Sequence, residues 1–118
     1  MGLIVLLFVA CTSNEKQRLQ QIENVLEESP DTAWAMLSQD GNRLSKYSKS
    51  DRMKYLLLRT EAMNKLFYAM DTINYMNDVL EYYAFYGNTG EKTWANYLMG
   101  CVYRDKGNSP KALLYYNE

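Results

Sequence analysis

The segment Thr93–Glu118 reads TWANYLMGCVYRDKGNSPKALLYYNE. Trp94, Tyr97, Leu98 and Cys101 step by three and four residues, the period at which side chains share one face of an α-helix. Lys106-Gly107 closes that helix, because glycine takes the left-handed C-terminal conformation at little cost. Ser109-Pro110 opens another: the serine can accept a hydrogen bond from an early N–H, and proline suits the first helical position. Two helices joined by so short a connection pack back on each other as a hairpin.

Working toward the N-terminus, the same period recurs. Leu19, Ile22, Val25 and Leu26 form an amphipathic stretch that stops at Ser29-Pro30, and Trp34 with Leu37 makes a short second helix. Asp40-Gly41-Asn42 breaks that helix, and the Ser- and Lys-containing stretch down to Ser50 reads as a solvated loop. Met53, Leu56, Leu57, Thr60, Met63, Phe67 and Met70 predict one long helix. Asp71 is placed to cap the next, whose Ile73, Met76, Leu80 and Tyr83 fall on one face before a stop near Gly87-Asn88. No segment alternates apolar and polar residues long enough for a strand. The expectation is an all-α chain of about six helices, paired as three antiparallel hairpins stacked in the manner of a solenoid.

At 118 residues there is room for one domain with a modest core. Thirteen basic against 14 acidic side chains give a formal charge of -1, so the long-range field that gathers nucleic acid is missing and nucleic-acid partners are discounted. The 11 Tyr and seven Met are a density typical of helix-packing surfaces that also touch partners, and Tyr75, Tyr82, Tyr83 and Tyr86 cannot all face the core of so small a domain.

Position by position, Thr93–Glu118 resembles a tetratricopeptide repeat (TPR). Gly100 and Ala112 fall where that repeat has small residues at the contact of its two helices, Tyr103 and Tyr116 at its aromatics, and Gly107 at its turn. The resemblance implies a right-handed solenoid in which the small residues let the helices approach and the tyrosines fill gaps toward neighbours. Moving the frame back 34 residues, the repeat length, puts Leu66 and Asp78 where small residues belong, so the hairpin at 51–87 reads as a degenerate repeat. Tyr82, Tyr86, Tyr97 and Tyr115 are the candidates for a face that grips a peptide or a neighbouring helix.

At the other end, Leu3–Ala10 is an unbroken apolar run followed at once by Cys11 and a polar stretch. It falls short of the ~20 residues a membrane-spanning helix needs, and matches the apolar part of a secretory signal. Val9-Ala10-Cys11 resembles the bacterial lipobox, which makes Cys11 the lipid attachment site, residues 1–10 the signal peptide, 11–17 a lipidated tether and 18–118 the helical domain. The order of features, this lipobox, then IENVLEESPDTAWAML, a loop, DRMKYLLLRTEAMNK and finally VYRDKGNSPKALLYY, is similar to a family of large TPR lipoproteins of gut anaerobic Gram-negative bacteria. That resemblance implies an envelope-located, membrane-anchored scaffold or the sensory part of a larger signalling protein. Because the last residue falls inside a repeat, the expectation is that the natural protein runs on past Glu118 or that the gene is truncated, and ending at Glu118 predicts an apolar edge exposed around Leu113, Leu114 and Tyr116. A second reading is a glycan-binding lipoprotein of a carbohydrate-uptake system, with Trp94 beside Asn96 as its nearest site.

For catalysis the residue supply is thin. The chain has no His, which removes the commonest general base and most zinc sites. Cys11 and Cys101 lack the spacing of a metal or redox pair, and Cys101 reads as a small buried hydrophobe. Neither a P-loop nor a dinucleotide-binding glycine pattern occurs. Glu23 with Glu27 and Asp78 with Glu81 are carboxylate pairs, read as solvated faces. The expectation is a non-enzyme with no cofactor and no metal.

Overall fold

The structure is a computed structural model that describes residues 2–118, with side chains from Asn14 onward. It is all-α: α1 (Gly2–Glu28), α2 (Pro30–Asp40), a 3-10 helix (Gly41–Lys46), α3 (Lys49–Lys65), α4 (Met76–Tyr86), α5 (Thr89–Asp105) and α6 (Ser109–Tyr116). The chain divides into two compact units, Met1–Tyr55 and Leu56–Glu118, with the boundary inside α3. The apolar run 3–10 and Cys11 lie outside the residues whose side chains are described. Among the described residues, no helix is long and apolar enough to cross a membrane.

In the first unit α1 packs on α2, and α2 on the 3-10 helix. Leu19, Ile22 and Leu26 bury one stripe of α1 against Ala33 and Leu37 of α2. Residues 14–17, expected to form part of a tether, are helical, since Glu15, Lys16, Gln17 and Arg18 are all good helix formers continuous with that stripe. Asp40 is buried but paired, accepting from Arg18 Nε at 3.0 Å, as a buried carboxylate must be. Pro30 takes the first helical position as expected, whereas Ser29 sits at the N-cap without a side-chain bond.

The stretch after Asp40 is not the solvated loop that its composition suggests. Leu44 and Tyr47 are three residues apart, the 3-10 period, and Tyr47 is buried edge-on to Tyr55 with ring centroids 6.3 Å apart. The Tyr55 hydroxyl in turn donates to the Leu37 carbonyl, so both tyrosines are part of the core.

In the second unit α4 packs on α5 and α5 on α6. The predicted long third helix ends at Lys65, two residues short of Phe67. Tyr68 N–H donates to Met63 O and Phe67 N–H to Asn64 O, the paired bonds that terminate a helix when one residue turns left-handed. That residue is Phe67, at φ 59° and 94% exposed, so it belongs to no core stripe. Asp71 is not a cap either: α4 begins at Met76, with Tyr75 before it.

The same termination recurs in α5, where Asn108 donates to Tyr103 O, Gly107 donates to Arg104 O, and Gly107 takes φ 78°. Both α3 and α5 are 17 residues long, starting at 49 and 89, 40 residues apart. The helices that follow start at 76 and 109, only 33 apart. α3 and α5 therefore share their length and their termination, and each is followed by a shorter helix, but the connection 66–75 has seven more residues than 106–108. A single 34-residue shift misaligns both helices. Shifts of 40 and 33 bring buried Thr60 opposite Gly100, Val79 opposite Ala112 and Tyr83 opposite Tyr116.

Candidate functional site

α5 and α6 approach closely at Gly100. Gly100 is buried, and a Cβ built there would stand 2.5 Å from Tyr116 Cδ1 and 3.1 Å from the Ala112 carbonyl oxygen. Only glycine leaves room for that ring. Ala112 is buried opposite, where a larger side chain would hold the helices apart. Gly100, Ala112 and Tyr116 thus meet as floor, wall and cover of one small contact, and Gly107, at φ 78°, turns the chain between the two helices.

Tyr116 also reaches two other side chains. Its hydroxyl donates to Cys101 Sγ at 3.8 Å, and its ring lies 5.6 Å from that of Tyr97. The neighbouring Cys101 sulfur, and then burial, raise the Tyr97 hydroxyl above its ordinary pKa. Burial first, and then the hydrogen bond to Cys101, do the same for Tyr116. Both are neutral phenols at physiological pH. Arg104 extends this face, its guanidinium donating to Asn64 Oδ1 at 3.1 Å and to Asp105 Oδ1 at 3.0 Å.

Tyr103 does not join that cluster. It stacks on Tyr115 with rings 5° from parallel and 5.5 Å apart, with the Lys111 ammonium 4.8 Å and the Lys106 ammonium 5.6 Å from its centroid. Tyr82 and Tyr86 form another pair on α4, centroids 5.0 Å apart. The four tyrosines considered for one binding face therefore sit in three separate pairings: Tyr82 with Tyr86, Tyr97 with Tyr116, and Tyr115 with Tyr103. Tyr86 (68% exposed) and Tyr97 (46%) present the most ring to solvent, while Tyr82 and Tyr115 are half-buried. Phe85, 79% exposed beside Tyr86, belongs with them and carries no sequence signal beyond falling off the helix stripe.

Trp94 and Asn96 do not form one platform. Asn96 lines a cavity of about 390 Å³ between α4 and α5, with Leu80, Ala84 and Ala95 as its apolar wall, and Trp94 is not part of that lining. Of the carboxylate pairs, Glu23 is bound to Lys54 at 2.7 Å, and Glu27, Asp78 and Glu81 are exposed. Among the described residues no group of three His, Cys, Asp or Glu side chains is placed to hold a metal ion.

No family model matches the chain, and neither a curated protein nor a solved structure matches it.

Proposed function

We propose that this chain is a membrane-anchored helical-repeat module of tetratricopeptide type, lipidated at Cys11 in a cell envelope, that binds a protein or peptide partner through its second unit. The observation that carries the reading is where apolar surface is left uncovered. Among the described residues, the exposed large hydrophobic side chains, Phe85, Tyr86, Tyr97, Leu113 and Leu114 among them, all fall between residues 67 and 116. Exposed aromatics concentrated in one unit are the usual anchors of protein recognition, and scattered placement would call for no such account. The seam at Gly100, Ala112 and Tyr116 supports the repeat type, because it holds α5 and α6 close enough to fix the side chains around it.

The test is photo-crosslinking in cells. Benzoylphenylalanine placed at Phe85 or at Tyr97 is expected to give a discrete light-dependent adduct in the membrane fraction, while the same group at exposed Gln21 of α1 gives none. Cys11→Ser is expected to release the protein from that fraction. No adduct at either aromatic position, or equal adducts at Gln21, would overturn the partner reading; unchanged membrane association of Cys11→Ser would overturn the anchor.

A further inference from the structure

The longer connection, 66–75, is pinned at several points. Met70 and Ile73 are buried, the Met70 N–H donates to Asp105 Oδ2 at 3.0 Å, and the Tyr75 hydroxyl lies 2.7 Å from Thr60 Oγ1. Between these anchors the connection walls a cavity of about 260 Å³, closed on its other sides by the first turn of α4 and the last turns of α5. The floor is apolar and buried: Ile73, Met76, Met99 and Val102.

The rim has the opposite character. Asp71, Thr72, Asn74 and Asn77 line the opening and are exposed, and among the described residues none of their side chains makes a hydrogen bond within the chain. Tyr103 and Lys106 complete the wall. The Tyr103 ring is held in place by its parallel stack on Tyr115.

We propose that this cavity binds one ring of a neutral sugar. One carboxylate and one ammonium leave no net field to select an ion. Two carboxamides and a hydroxyl offer donors and acceptors together, as a ring of hydroxyl groups requires. The apolar floor suits the C–H face of such a ring. The volume is just below the usual range for small-molecule pockets, roughly 300–1,000 Å³, so it suits a single ring. The seven extra residues are what supply Asp71, Thr72, Ile73 and Asn74, so the lengthened turn is the structural origin of the site. The inference is independent of the partner-binding reading, since neither Phe85 nor Tyr97 lines the cavity.

The test is an NMR titration of the isotopically labelled full chain with methyl β-glucoside, methyl α-mannoside and N-acetylglucosamine, with glucuronate and inorganic phosphate as anionic comparators. At least one neutral sugar is expected to shift the Asn74 and Asn77 carboxamide signals saturably. Asn77→Ala should weaken that binding about fivefold or more, the loss of one hydrogen bond, while Asn96→Ala in the separate α4–α5 cavity leaves it unchanged. Because Asn77 bonds to nothing within the chain, its loss does not threaten the fold. Absence of saturation with every neutral sugar, shifts confined to the surroundings of Trp94, or a response to glucuronate or phosphate alone would each overturn the proposal.

Discussion

Replacing Gly100 by alanine probes the α5–α6 seam with the smallest possible addition. The new Cβ would overlap the Tyr116 ring, 2.5 Å from Cδ1, and sit 3.1 Å from the Ala112 carbonyl oxygen. Overpacking of this kind costs about 1–3 kcal/mol. Alanine's better helix propensity returns about 1 kcal/mol. The ring can swing away because Tyr116 lies on the last turn of α6, but doing so forfeits its contact with Tyr97, about 0.5–1.5 kcal/mol. Gly100→Ala is therefore expected to destabilise the chain by about 1 kcal/mol. With Tyr116→Ala already in place the ring is gone, only the few-tenths-of-an-ångström crowding at Ala112 remains, and the same substitution becomes neutral or mildly stabilising. The assay is urea unfolding of the four proteins of the cycle by circular dichroism, comparing midpoints at equal slope. A change at Gly100 that is the same in both backgrounds, within about 0.5 kcal/mol, would refute the contact.

Other consequences are equally direct. Phe67→Gly removes a left-handed strain of about 1–2 kcal/mol and no buried surface, so the urea midpoint should rise despite glycine's greater freedom in the unfolded chain; a fall would contradict the terminating conformation. Burial, and then the Asp40 carboxylate, hold the Tyr47 hydroxyl above its ordinary pKa, so the unfolded chain gives up this proton at lower pH than the folded one. The resulting stability is complete below the ordinary tyrosine value and is lost as pH rises through the folded value; Tyr47→Phe should flatten that alkaline decline in unfolding curves, and an unchanged slope would count against it. Cys101 is buried beneath Tyr116, so Tyr116→Ala should speed its reaction with a thiol reagent under native conditions, and an unaltered rate would show that the ring is not the cover.

Apolar spacing located most of the helices because a stripe at three and four residues is what a half-buried helix requires. Leu19, Ile22 and Leu26, and later Leu98 and Cys101, are buried where that period places them. It failed between 66 and 75 for a physical reason. Phe67 and Met70 continue the spacing of Met63 by coincidence, and neither glycine nor proline marks the stop: the left-handed position that glycine fills in α5 is filled here by phenylalanine. Met70 and Ile73 are buried as pins of a connection, and burial alone does not distinguish a pin from a helix turn. The α3 stripe was incomplete too, since Tyr55, Leu58 and Ala62 are buried on other sides of that helix, and a single-stripe pattern registers only one.

The candidate site was legible in part. Gly100, Ala112 and Tyr116 were identifiable because a small residue facing a small residue across a turn has few other uses, and the structure brings the three together. The distribution of the tyrosines was not. Tyr82, Tyr86, Tyr97 and Tyr115 look alike in sequence, and which ring each one meets depends on how the helices are rotated about their axes, a quantity that a 3.6-residue period fixes only loosely. The cavity beside Asn74 and Asn77 was invisible for a related reason: it exists only because a lengthened turn folds back onto α5.

One nuclear Overhauser spectrum of the labelled chain tests the α5–α6 seam and the termination shared by α3 and α5 most directly. Cross-peaks are expected between the Gly100 α-protons and the Tyr116 ring protons, with an upfield ring-current shift at Gly100 and an intense intraresidue amide-to-α cross-peak at Phe67 from its left-handed backbone. A Gly100 α-proton shift typical of an ordinary helix, with no contact to Tyr116, and a weak intraresidue peak at Phe67 would contradict both the seam and the repeated helix termination.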